Sequence, residues 1–354
     1  MKRALSAVML LTAIAGPALG QAYDGLTLYN TMTSRTTRLI DNSGQTINSW
    51  SCNSNVAYLS YLMEDSTLWR PGVYSNATLR PAAYGGLIER YDWNGNVIQS
   101  FVWSGTNHVQ HHDIQPMPNG NVLVVSVDRR TRAEAQALGR ASVPGSYIWS
   151  EMLVEYDPVG DSVAWEWRLW DHLIQDADSA KPNYGVIAEH PERFDINVGA
   201  VSFNGDWIHA NAVDYREDDD LVVFCSHYTH ELYVIDHSTT TDEARGSTGG
   251  RHGKGGDFLY RWGNPQNYGR GTSADQHFFV VHGANWIAPG LEGAGNILIF
   301  NNGDRPGTGS DFSSVEEIVP PRDSSGFFIV PADSAFGPDE PAWTYSNPGT
   351  FYSN

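Results

Sequence analysis

The sequence predicts an all-β protein, a β-propeller of about six four-stranded blades with the last one incomplete, built as a single domain over residues 21–354. Three observations predict it. One run of residues recurs: an alternating apolar strand, an Asp-initiated turn, a second strand and a closing Trp. Its copies are TTRLIDNSGQTINSW, GLIERYDWNGNVIQSFVW, MLVEYDPVGDSVAWEW and, with a long insertion, ELYVIDHSTTT…GDFLYRW. The turn residues Asp41, Asp92, Asp157 and Asp236 stand 51, 65 and 79 residues apart, the interval of blades enlarged by insertions. Between the hairpins lie further strands, NVLVVSV, DLVVFC and NILIF, and a hairpin plus two strands makes one blade. A β-sandwich with long excursions would match the strand content but not this register.

Taken from the N-terminus, Lys2 and Arg3 precede an apolar stretch from Ala4 to Ala15, and Ala18-Leu19-Gly20 offers a small-residue cleavage site before Gln21. That pattern predicts a signal peptide over residues 1–20 and a secreted or periplasmic protein. No later segment approaches the roughly 20 apolar residues of a spanning helix, so no membrane span is expected. The hairpins follow from turn chemistry, because Asp with Gly a few residues on supplies the positive φ that a tight turn needs. TRAEAQAL near residue 131 is the best helix candidate. The stretch from His172 to Asn204 is long, polar and Pro/Gly-bearing, and predicts an insertion over one face of the ring. The copy SSVEEIV, GFFIV and PAWTYS reaches Asn354 with no inner strands after it, so either DGLTLYN near the N-terminus completes that blade or the chain is a shortened one.

Composition excludes some partners. A formal net charge of −19 supplies no basic footprint for nucleic acid and no attraction to an anionic membrane surface. Two cysteines, Cys52 and Cys225, do not make a disulfide scaffold, and whether they pair stays open. Motifs for a nucleophile elbow, a P-loop, a dinucleotide fold and short-spaced zinc sites are all missing.

What remains is histidine. His112 in HDIQPMPNGNVLVV, His209 in HANAVDYREDDDLVVF and His282 in HGANWIAPGLEGAGNILIF each precede a turn and a β-branched run. A repeat fold brings such matched positions to one channel. His111 adjoins the first and His227 ends the strand that follows the second, while Asn211 stands two residues beyond His209, on the same face of a regular strand. Imidazoles so gathered suit metal ligation, acid–base work or nucleophilic attack on phosphoryl or sulfuryl groups.

At these residues the chain resembles the arylsulfotransferase family of secreted propellers. HHDIQPMPNGNVLV, DWIHANAVDY, HGANWIAPGLEGAGNILIFNNGD and VIDHSTTT…GKGGDFLYRWGNPQNYGRGTSADQ carry the resemblance, from about Tyr84 to Trp343. It implies sulfuryl transfer from a phenolic sulfate to a phenol through a sulfohistidine, with no nucleotide donor, cofactor or metal. It implies His282 as nucleophile, with His209, Asn211, His112 and His227 as further catalytic residues and His111 as a substrate-binding one. The chain departs from the family in having Val281 and Gly283 around His282, and His227 where an Arg is usual. An imidazole replaces a bidentate guanidinium clamp only in part. Two other readings stay open here: a non-catalytic binding or scaffolding propeller, and a metal enzyme using the histidines as ligands.

Overall fold

The computed structural model describes residues 24–303 and 311–353, and the predicted signal peptide lies outside the described residues. Among the described residues the strands group into five blades in chain order. The first has three strands, β1 (Leu26–Asn30), β2 (Thr36–Asp41) and β3 (Thr46–Ser51). The second has β4 (Tyr61–Leu62), β5 (Leu68–Val73), β6 (Gly86–Tyr91) and β7 (Val97–Val102). The third has β8 (His108–Pro116), β9 (Val122–Thr131), β10 (Tyr147–Asp157) and β11 (Ser162–Arg168), with helix α1 (Arg132–Ala137) between β9 and β10. A parallel pair, β12 (Leu173–Ile174) and β13 (Phe194–Asp195), precedes the fourth blade. That blade is β14 (Ala210–Arg216), β15 (Leu221–Ser226), β16 (Glu231–Asp236) and β17 (Tyr260–Trp262), with α2 (Thr241–Ala244) after β16. The fifth is β18 (Val281–Trp286), β19 (Ile297–Asn301), β20 (Ser314–Ile318) and β21 (Trp343–Ser346).

Five blades correct the expected six, and the incomplete one is the first. The recurring hairpin closes a blade instead of opening it, so SSVEEI and WTYS are the outer strands of the blade that begins at Val281. GFFIV forms no strand, Phe328 making a single bridge to Arg322. β1 pairs with β2, so DGLTLYN serves its own blade, which has no innermost strand among the described residues.

The closing tryptophans explain why the run recurs. Trp50 Nε1 donates to the Asp92 carbonyl at the turn of the second blade (2.9 Å), and Trp103 Nε1 to Ser126 Oγ of the third (2.9 Å). Trp167 Nε1 donates to the Gly256 carbonyl of the fourth (2.7 Å), and Trp262 Nε1 to the Pro338 carbonyl between β20 and β21 (2.8 Å). Each indole buries a large apolar body and spends its one donor on the next blade. The turn aspartates act locally: Asp92 Oδ1 accepts from the amides of Asn94 and Asn96, and Asp157 Oδ1 from those of Val159 and Gly160.

The stretch from His172 to Asn204 is buried at 172–175 and in part around 191–196, while 176–180 and Tyr184 are exposed. Leu173, Phe194 and Ile196 join the core with Trp167, Trp207 and Phe224, and Arg140 donates to the carbonyls of Ile196, Val198 and Gly199. This packing delivers the chain to His209. The two cysteines are free and buried.

His237 ties the third blade to the fourth. Its Nδ1 lies 2.8 Å from Asp220 Oδ1 and its Nε2 3.0 Å from Glu155 Oε2. Burial works against the charge, but the two carboxylates outweigh it and raise the ring from 6.5 to about 9. A raised pKa stabilises fully below 6.5, and that stability fades as pH climbs through about 9. Wild-type protein should therefore lose unfolding free energy between those values in urea titrations, and His237→Gln should flatten the slope; an unchanged slope would contradict the assignment.

Candidate active site

The innermost strands β8, β14 and β18 are each irregular near their histidine. Pairing shifts between Gln110 and Ile114, between Ala210 and Ala212, and between His282 and Asn285. A bulge re-aims side chains and is commonly found beside active sites. The backbone is strained in the same region: His112 (φ 54°), His209 (φ 57°), His230 (φ 58°) and Val280 (φ 60°) all occupy the left-handed region as non-glycine residues. Such residues cost about 1–3 kcal/mol each and cluster where function demands them. Gly283 (φ 61°), next to His282, meets the same demand without a Cβ.

These distortions bring four imidazoles into a continuous arc. Ring centroids are 4.6 Å apart for His112 and His209, 5.0 Å for His209 and His227, and 5.7 Å for His227 and His282. Tyr58 flanks one end of the arc, 5.3 Å from His112, and Tyr228 packs on His227 at 4.7 Å. All the histidines singled out in the sequence thus meet, His111 lying just behind His112.

Each ring except His227 has a partner that fixes its proton. Asn302 Nδ2 donates to the Ser353 carbonyl (2.8 Å), so the Asn302 amide oxygen faces His282 Nδ1 at 2.7 Å. An amide oxygen only accepts, so His282 carries its proton on Nδ1 and leaves a lone pair on Nε2. His209 Nδ1 lies 2.7 Å from Asp206 Oδ2. Glu151 Oε2, His111 Nε2, His111 Nδ1 and His112 Nδ1 form a relay with contacts of 2.9 and 2.8 Å, and Glu151 Oε1 accepts from the Ala210 amide at 3.0 Å. His227 Nδ1 is buried without a hydrogen-bond partner among the described residues.

Burial, then mutual repulsion among the rings, holds His112 well below the usual histidine range and His227 down to about 4. Burial also lowers His282, opposed by its bond to Asn302. At neutral pH these three rings are uncharged. Asn211 does not share a face with His209, whose positive φ breaks strand alternation. Its Nδ2 donates to the Val281 carbonyl (2.7 Å) and its Oδ1 accepts from Cys225 Sγ (3.0 Å), which anchors the strand bearing His282. Among the described residues no group of three or more His, Cys, Asp or Glu side chains is arranged to hold a metal ion. Nor is any helix among them long and apolar enough to cross a membrane.

Sequence reasoning missed Glu151, Asp206, Asn302 and Tyr58. Glu151 had a signal, a charge inside the apolar strand SEMLVEY, and Asn302 stood in the quoted NNGD run. Asp206 opens the quoted DWIHANAVDY run, and Tyr58 had no signal.

A family model described as Arylsulfotransferase (ASST) matches residues 15–353. No curated protein matches the chain. Among solved structures, a protein of unknown function from Bacteroides caccae is 6% identical, with 86% of this chain and 70% of that one covered and a TM-score of 0.41. Hydrazine synthase of Kuenenia stuttgartiensis is 10% identical, covers 76% and 62%, and scores 0.42. BamB from Moraxella catarrhalis is 11% identical, covers 88% and 74%, and scores 0.34. At these scores none bears on chemistry.

Proposed function

The chain belongs to the arylsulfotransferase (ASST) family, and from this we propose that it moves a sulfuryl group from a phenolic sulfate to a phenol through a sulfohistidine at His282. The observation that carries the proposal is the arc of imidazoles ending on a ring whose lone pair is fixed on Nε2 by Asn302. His282 Nε2 attacks sulfur, the bond from sulfur to the aryl oxygen breaks, and the phenolate leaves, taking a proton to become the free phenol. In the second half the acceptor phenol gives up its proton, its oxygen attacks sulfur, and the bond from nitrogen to sulfur breaks. His209, backed by the Asp206 carboxylate, is suited to carry the proton between leaving and entering oxygens. A proton added to the Glu151–His111–His112 relay turns His112 Nε2 into a donor toward the sulfuryl oxygens.

Among the described residues no guanidinium is among the groups acting most on His227, which are His209, His282, His230 and Asp206. Anion binding then draws protons onto rings that are neutral when empty. Affinity for phenyl sulfate should rise as pH falls from about 8 to about 6, by up to about tenfold per unit for each proton taken up. Calorimetry across that range checks it, and a flat affinity would contradict it. His227 also favours a second reading, a binding propeller without the chemistry. The assay that separates them is transfer from a chromogenic phenyl sulfate to a phenol, which should follow ping-pong kinetics. Binding without turnover would leave the second reading standing. The proposal includes export, so protein recovered outside the cytosol should begin at Gln21.

A further inference from the structure

We infer that a cavity between the first two blades, one wall residue of which packs on His112, is the seat for an uncharged fused-ring aryl group; this rests on the transfer reading above. The cavity has a volume of about 330 Å³ and is lined chiefly by Met32, Val56, Tyr58, Leu59, Ala83 and Tyr84, with no Asp, Glu, Lys or Arg in its wall. Its polar members besides the tyrosines are Asn30, Thr33 and Asn55, and the Asn30 side chain is already engaged. Asn30 Nδ2 donates to the Tyr58 carbonyl (2.6 Å), while its Oδ1 accepts from Ser60 Oγ (2.7 Å) and Thr37 Oγ1 (3.1 Å). The wall therefore offers a guest apolar surface and aromatic faces, with little to satisfy a charge.

Three further observations point to a ligand. Two wall residues touch the arc: the Tyr58 ring lies 5.3 Å from that of His112, and the His112 amide donates to the Ala83 carbonyl at 3.0 Å. Its wall holds three strained non-glycine residues, Thr33 (φ 64°), Tyr58 (φ 74°) and Ala83 (φ 54°), continuing the strain at His112 and His209. Met32, Leu59 and Tyr58 keep 70%, 45% and 40% of their surface exposed, an apolar rim that an aryl guest would cover.

Size selects the guest. An apolar cavity of about 150 Å³ takes one benzene ring. A volume of about 330 Å³ suits two fused rings. A naphthyl group seated here would rest against Tyr58, whose ring packs on His112 at the near end of the arc. Single-ring phenols leave half the cavity unfilled, and anionic rings find no partner in the wall.

Binding of 2-naphthol and phenol to the whole protein, followed by calorimetry, tests this. Naphthol should bind about tenfold more tightly than phenol, from the apolar area of the second ring. Leu59→Glu and Met32→Glu change exposed residues that the fold tolerates, and each should remove that preference, whereas His282→Ala should keep it. Equal affinities for the two phenols, or a preference that survives both charge substitutions, would overturn the seat. Transfer measured in parallel separates the two readings. Tight naphthol binding with no transfer from naphthyl sulfate defeats the transfer reading and leaves the seat; transfer with no preference defeats the seat alone.

Discussion

His282→Ala is expected to lower kcat/KM for transfer from a chromogenic phenyl sulfate by at least about a thousandfold, since it removes the atom to which sulfur bonds. Loss of the neighbouring donors should cost less, because they stabilise charge without forming the bond. Asn302→Leu tests the tautomer. Without an acceptor at Nδ1, His282 can place its proton on Nε2 and block the lone pair, with an expected loss of about ten- to a hundredfold. His112→Ala should act mainly on KM, because its ring is proposed to grip oxygens. Equal losses in all three variants would argue for a shared structural role instead. Steady-state kinetics on folded variants, checked by circular dichroism, distinguishes these outcomes.

The second large effect concerns stability. Glu231→Gln is expected to destabilise the protein by about 3–5 kcal/mol in urea unfolding, because it leaves the charge of Arg261 buried and unbalanced. Arg261 and Glu231 are both fully buried and 2.6 Å apart. The guanidinium stands within 5.9 Å of the ring centres of Phe194, Tyr233, Phe258 and Tyr268 and donates to the Arg193 carbonyl at 3.0 Å. It thereby fastens the stretch leading to His209 onto the fourth blade. The double variant Glu231→Met with Arg261→Met should recover much of the loss, since replacing a buried pair by apolar groups is often neutral. A Glu231→Gln protein as stable as wild type would refute this account of the cage.

The hairpins and their aspartate turns were legible because turn chemistry is local, with every partner of Asp92 Oδ1 within four residues. The convergence of the histidines was legible because a repeat fold converts sequence register into position. Blade number was not. A cyclic repeat has a period but no marked starting strand, and the run that recurs closes a blade, its Trp50 and Trp103 bonding to the next blade, although in the sequence it reads as opening one. The supports of the imidazoles were hidden for a different reason. Glu151 reaches His111 from 40 residues away and Asn302 reaches His282 from 20, distances that no local pattern encodes. The positive φ of His112 and His209 was hidden too, since nothing in a histidine announces the left-handed region. That same strain is why Asn211 serves the Val281 carbonyl instead of sharing a face with His209.

The most direct test of the central claim is to quench the protein with a ³⁵S-labelled phenyl sulfate in the absence of acceptor and map the label by peptide mass spectrometry. One sulfuryl group should be found on the peptide containing His282, discharged on adding a phenol and absent from His282→Ala. Turnover with no label on His282, or with label on His112, His209 or His227 instead, would contradict it.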